Sequence, residues 1–120
     1  GAVKIYLAGP MRGIEEYNFP RFREAAEQLR GRGYEVVSPH ELDEAEWELA
    51  EQIELTTKAY MRRDLPLMLD CDGVVVLEGW TASKGALIEW TVAIQCGMPT
   101  AFITQALEDK EWLYADTRGG

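Results

Sequence analysis

Glu89 is the carboxylate that sits oddly in its neighbourhood. It lies among Ala86, Leu87, Ile88, Trp90, Val92, Ala93 and Ile94. A carboxylate in so apolar a helix is rarely buried unless it is paired or put to chemical use; the plainer alternative is a partly exposed Glu at the helix edge. Ser83-Lys84-Gly85 opens the same helix. A helix N-terminus presents free N–H groups and a positive dipole end, and Gly85 lacks the Cβ that would keep an anion away. The plainer reading is that Ser83 only caps the helix. Gly85 and Glu89 share a face about 6 Å apart along the axis. An anion held at Gly85 would therefore set its neighbouring atoms against Glu89, and a sugar monophosphate has about that span from phosphate to anomeric carbon.

Other residues compete for a role. Gly9-Pro10-Met11-Arg12-Gly13 follows the first strand. It lacks the spacing of a dinucleotide fingerprint and no Gly-Lys-Ser/Thr follows it, so it is not a Walker loop. Two glycines around Arg12 suit close backbone approach to a ligand beside a cation, or form a plain tight turn. Asp64 either caps a helical piece opened by Pro66 or is a second active-site carboxylate, and spacing leaves both open. Asp72 precedes the third strand and reads as a turn residue. His40 follows the second strand, where a lone His is usually structural and occasionally a ligand contact. Trp80 and Tyr17 stand in loops where they could stack on a base or seal the core rim. Cys71 and Cys96 have no metal or redox spacing and read as buried thiols of a reducing, cytoplasmic protein. No His/Cys cluster implies a metal, and no motif implies a cofactor.

These residues need a frame. The chain has 120 residues, 47% of them hydrophobic, which suits one domain with one core. Gly1-Ala2 reads as a tag remnant and the stretch 114–120 as a loose tail. No signal peptide is visible, and the longest apolar stretch, Leu65 to Leu77, is cut by Asp70 and Asp72, which excludes a spanning helix there. The net charge of -9 disfavours nucleic-acid polymers and anionic membranes. Seven acids without a base fall within residues 41–54 and read as one solvated helical face, so a small anionic nucleotide is not disfavoured.

Apolar β-rich runs predict strands at 3–8, 34–37, 73–77 and 98–103. Helical spacing predicts helices at 19–30, 56–71, 84–96 and 105–113, with a further helical region through Trp47, Ala50 and Ile53. Asn18 is the expected cap of the first helix, and Ser38-Pro39-His40-Glu41 has the pattern of a capping box. The helix over 84–96, apolar nearly all round, should be buried. The alternation predicts a single Rossmann-like (flavodoxin-like) α/β domain, with a parallel sheet of four to five strands and helices on both faces. Ligands in such sheets sit beyond the carboxyl ends of the strands, near Gly9–Gly13, Ser38–His40, Glu78–Ser83 and Ile103–Gln105.

Taken together, the run from Lys4 to Gly13 (KIYLAGPMRG), Tyr17 to Pro20 (YNFP), Arg63-Asp64-Leu65 leading to Cys71–Val76, and Gly79 to Gly85 (GWTASKG) with Glu89 resemble the nucleoside 2-deoxyribosyltransferase superfamily. The resemblance spans residues 3–103 and is strongest to small phage and bacterial members. It implies that Glu89 is a nucleophile attacking the anomeric carbon, oriented by Tyr6, with Asp64 near the sugar and leaving base as proton donor or positioner. It also implies that Gly9, Met11, Arg12 and Gly13 belong to a loop over the ligand. Members acting on free nucleosides tend to carry an acid six residues before the nucleophile, whereas those acting on 5′-monophosphates tend to carry Ser. This chain has Ser83 there, which with Gly85 and Arg12 suits a phosphate. Two departures are the bulky Trp90 after Glu89 and the short chain beyond Ile103, with Asp116 and Thr117 as the polar residues for a neighbouring subunit's site. The family's habit implies a homodimer or larger assembly. Three functions follow as expectations: cleavage of a nucleoside 5′-monophosphate by hydrolysis or base transfer, a transferase on free nucleosides, or a non-catalytic nucleotide-binding domain.

Overall fold

A computed structural model describes residues 1–45 and 56–115. Four strands form one parallel sheet in the order β2-β1-β3-β4: β1 (Lys4–Ala8), β2 (Glu35–Val37), β3 (Gly73–Val76) and β4 (Thr100–Phe102). Ile5 and Tyr6 of β1 lie beside Val36 and Val37 on one side and Gly73 and Val74 on the other. The order steps outward from β1 in both directions, so a crevice opens at the carboxyl ends of β1 and β3. The fold is thus a Rossmann-like α/β domain of four strands. Among the described residues no helix is long and apolar enough to cross a membrane.

Strand periodicity divides the core. Ile5, Leu7, Val75 and Leu77 meet Phe22, Ala25, Ala26 and Leu29 of α1 (Phe19–Gly31), together with Ile103 and Ala106 of α5 (Ile103–Glu108) and Trp112. Tyr6, Ala8, Val74 and Val76 face the other way, against Met68 of α3 (Thr57–Leu69) and Ala86 and Ala93 of α4 (Lys84–Gln95). Helix α2 (Pro39–Ala45) follows β2.

Several expectations need correction. Helix α3 runs unbroken through Pro66, so Asp64 is a mid-helix residue and not a cap. Asn18 stands at the expected N-cap position of α1 but its side chain makes no capping bond: it adopts φ 61° and its Nδ2 donates to the Pro10 carbonyl at 2.9 Å. Glu16 and Tyr17 before it also have left-handed φ values of 55° and 52°, a conformation costing about 1 kcal/mol or more per non-glycine residue. The capping box is replaced by other bonds. Ser38 Oγ engages His40 Nδ1, the Glu41 amide donates to the Ser38 carbonyl at 3.1 Å, and the Glu41 carboxylate takes Arg30 at 2.6 Å. The helix expected over 105–113 is two pieces, because Asp109 is extended and its Oδ1 accepts from the Glu111 amide at 2.9 Å. Helix α4 is not buried all round. Leu87 is 43% exposed, with Ile88 and Ile94 also open, because it lies beside α3 on the sheet and only one stripe reaches the core. Cys71 is buried but Cys96 is exposed, since it lies just past the end of α4. Asp72 is the turn residue expected, accepting the Lys4 amide at 2.9 Å. The helical region through Trp47, Ala50 and Ile53, and the expected tail from Asp116 and Thr117 onward, lie outside the described residues, whereas Tyr114 closes a 3-10 turn (Glu111–Tyr114) and is not loose.

Candidate active site

Strand β1 turns Tyr6 away from α1, towards α3 and α4, because alternate residues of a strand point to opposite faces. Its hydroxyl donates a hydrogen bond to Glu89 Oε2. Glu89 occupies the inward stripe of α4 with Ala86 and Ala93, and is 4% exposed. Burial pushes its carboxyl up to about 8, with the charges of Asp64 and Asp43 adding to the rise and the Tyr6 hydroxyl and Arg63 opposing it. Tyr6 itself is pushed well above its ordinary value, first by burial and then by Glu89 and Asp64. A carboxyl poised near neutrality, bonded to a phenol and beside a second buried carboxylate, is an arrangement that costs stability and suits chemistry.

Asp64 is 3% exposed in the middle of α3. Arg63 grips it at both oxygens, Nε to Oδ1 at 2.6 Å and Nη2 to Oδ2 at 3.2 Å. The same Nη2 reaches Asp43 Oδ1 of α2 at 2.7 Å. Tyr60, one turn earlier on α3, lies under two cations, with its ring centroid 5.4 Å from the Arg63 guanidinium carbon and 5.5 Å from that of Arg12. The exposed loop after β1 is thereby brought over α3. Met61, the next residue of α3, lies against Gly85: a Cβ built there would be 3.5 Å from its Cε. Ser83 Oγ accepts the Ala86 amide at 3.2 Å and so caps α4; its hydroxyl proton remains for a second acceptor. Residues from β1, α3 and α4 therefore bring Tyr6, Asp64 and Glu89 together on the α3–α4 face of the sheet.

Other expected site residues stand elsewhere. A Cβ on Gly9 would lie 3.0 Å from Leu77 Cβ and 3.2 Å from Phe22 Cζ, so this glycine serves packing of α1 on the sheet. Gly13 has φ +78° and open space around it, as a turn requires. Met11 packs partly buried on the α1 side of the core. His40 is 2% exposed, bonded to Ser38 and 6.0 Å from the rings of both Phe19 and Phe22. That is an interior position, where burial lowers its pKa against the pull of Glu41 and Glu44. Trp80 stacks on Trp90 at 4.6 Å and meets Phe102 of β4, whereas Glu89 meets Tyr6 of β1. An open cavity of about 430 Å³ lined by Glu16, Tyr17, Phe19, Pro20 and Arg23 lies at the start of α1, and Tyr6, Asp64 and Glu89 are not among its walls.

The acidic stretch after β2 is not simply a solvated face. Its described members Glu41, Asp43 and Glu44 pair with Arg30, Arg63 and Arg23. Arg63, Asp43 and Tyr60 are the site neighbours that sequence reasoning missed. The direct adjacency of Arg63 to Asp64 was the available signal. With the sheet, the crevice and these contacts in place, the similarity to known families becomes informative. A model of the DUF4406 domain family, a family of unknown function, matches residues 3–102. The chain belongs to that family. The match covers every strand and the whole Tyr6–Asp64–Glu89 cluster, so this cluster is a feature of a DUF4406 domain. No curated protein matches the chain.

Proposed function

We propose that this DUF4406 domain cleaves the N-glycosidic bond of a nucleoside 5′-monophosphate, with Glu89 as nucleophile. The observation that carries the reading is the buried Glu89 carboxyl held by the Tyr6 hydroxyl beside Asp64. Its place on α4, the helix that follows β3, and the resemblance of the surrounding motifs to those of the nucleoside 2-deoxyribosyltransferase superfamily support it. In the reaction a Glu89 oxygen forms a bond to the anomeric carbon as the carbon–nitrogen bond breaks. The base leaves with that electron pair and takes a proton from water. A second water, or another base, then displaces the Glu89 ester at the same carbon and restores the carboxylate.

The remaining groups have defined tasks in this scheme. Tyr6 fixes which Glu89 oxygen is free to attack and stabilises the carboxylate each time it forms. Asp64, gripped at both oxygens by Arg63, is suited to accept a hydrogen bond from the sugar, not to hand a proton to the base. The start of α4, with the Gly85 amide and the Ser83 hydroxyl proton, suits the phosphate. Arg12 adds a cation from the loop above. A homodimer in which a second copy covers part of the site belongs to the same proposal, and the exposed Leu87, Ile88 and Ile94 of α4 are compatible with it.

The test is base release from a panel of nucleoside and deoxynucleoside 5′-monophosphates, with and without an acceptor base, followed by chromatography. Release should require the phosphate and vanish in Glu89→Gln. Equal turnover of nucleoside and monophosphate removes the phosphate site, and release that survives Glu89→Gln removes the mechanism. Tight binding without release from any substrate leaves a nucleotide-binding domain in its place.

A further inference from the structure

Arg63 joins side chains from two helices. It meets Asp64 of its own helix at both oxygens and Asp43 of α2 at 2.7 Å, and lies across the Tyr60 ring. Successive residues of a helix point about 100° apart. Side chains at positions 63 and 64 therefore meet only if the longer one folds back. Tyr60, three residues earlier and on the Arg63 side of α3, gives the guanidinium a flat surface to fold along. Asp43 holds its far end. The planar fork then fixes both the rotamer and the plane of the Asp64 carboxylate, which a lysine ammonium would not do.

The charged and titratable groups acting on Glu89 come from three elements: Tyr6 of β1, Arg63 and Asp64 of α3, and Asp43 of α2. The two aspartates oppose its ionisation, while Arg63 and the Tyr6 hydroxyl favour it. We infer that Arg63 is a positioning residue of this site: its fork orients Asp64 towards the ligand, and its charge offsets the two aspartates so that Glu89 can ionise beside them. The inference rests on the reading of Glu89 as nucleophile and Asp64 as its companion.

Arg63→Met and Arg63→Lys separate the two parts. The Glu89 carboxyl is titrated directly by carbon NMR in the ligand-free protein, with its signal assigned from Glu89→Gln, and kcat and KM for base release are measured across pH. Arg63→Met should raise the Glu89 midpoint by about one pH unit or more. Arg63→Lys should hold the midpoint while kcat falls about 10–100-fold at nearly constant KM. A midpoint that Arg63→Met leaves in place overturns the charge offset, and full kcat in Arg63→Lys overturns the positioning. If Arg63→Met does not fold, Asp43→Asn takes its place: removing that charge should lower the midpoint, and an unmoved midpoint again overturns the offset. Failure of the glycosidase reading is seen separately, as a wild-type protein that releases no base whatever its titration shows; the positioning role then falls, and the charge offset stands or falls on the titration.

Discussion

Glu89→Gln should make the protein more stable in alkali while abolishing base release. The side chain is 4% exposed and its carboxyl is pushed up from 4.5 to about 8, chiefly by burial. Below pH 4.5 both folded and unfolded chains carry the proton, and the residue has no effect on the pH dependence. Between pH 4.5 and 8 the unfolded chain ionises while the folded one keeps its proton, so stability falls by about 1.4 kcal/mol per pH unit. Above pH 8 the loss levels off at about 5 kcal/mol, a ceiling that water entering the ionised site would reduce. Glutamine keeps the acceptor for the Tyr6 hydroxyl but has no proton to lose. The two proteins should therefore unfold alike at pH 4 and diverge steadily to pH 9. A domain of this size shifts its Tm by about 4 °C per kcal/mol, so thermal melts across that range resolve the effect easily. Urea titrations at pH 4, 7 and 9 give the free energies directly. Subtracting variant from wild type removes the other carboxylates, which titrate in both. Parallel curves, or a gap under about 1 kcal/mol at pH 9, would refute the argument that burial dominates Glu89.

Tyr6→Phe removes the donor that favours the ionised Glu89, so the carboxyl midpoint should rise above that of the wild type, read by the same NMR titration; an unchanged midpoint would show the bond to be idle. If ionised Glu89 attacks the sugar, kcat/KM of the wild type should climb about tenfold per pH unit and flatten near pH 8, and a profile flat from pH 5 to 9 contradicts that. Gly85→Ala should raise stability by about 0.5–1 kcal/mol through helix propensity, since its Cβ makes only ordinary contact with Met61 at 3.5 Å. The same variant should weaken binding of a nucleoside monophosphate about tenfold or more by calorimetry, and unchanged affinity would remove the phosphate from the start of α4. Gly73→Ala drives a Cβ to 2.8 Å from the Trp112 ring and should cost about 1–3 kcal/mol in urea unfolding, with no change in Glu89 titration.

The frame was legible because the strands are pure. Tyr6 apart, the buried faces of β1 and β3 are hydrocarbon, and glycines end the helices at Gly31 and Gly97, as the spacing predicts. Glu89 was legible for the opposite reason, as one carboxylate in an apolar helix. Asp64 was undecided because Pro66 signals a helix start as readily as a kink, and only the unbroken course of α3 settles its place. Asp43 was read with its acidic run as a solvated charge, and Arg63 was given no role, because sequence spacing does not show that two helices bring them together. His40 was left between a structural place and a ligand contact for a similar reason: Phe19 and Phe22 of α1 lie beside it from a different element. The left-handed turn at Glu16, Tyr17 and Asn18 has no glycine to announce it; the Asn18–Pro10 bond is visible only in three dimensions.

The indole of Trp112 occupies the space that a side chain on Gly73 would need, at the amino end of β3, with Tyr34 hydrogen-bonded to it at 3.1 Å. One face of the sheet is therefore filled with rings at this point, while the other face carries Tyr6 with Glu89 against it. On the proposed function the two faces bear different loads: substitutions against Trp112 should be felt as melting, and substitutions in the loops between Met11 and Asn18 or Trp80 and Ala82 as changes in what is bound. On that reading, a lineage built on this chain could explore new ligands without first rebuilding its foundation.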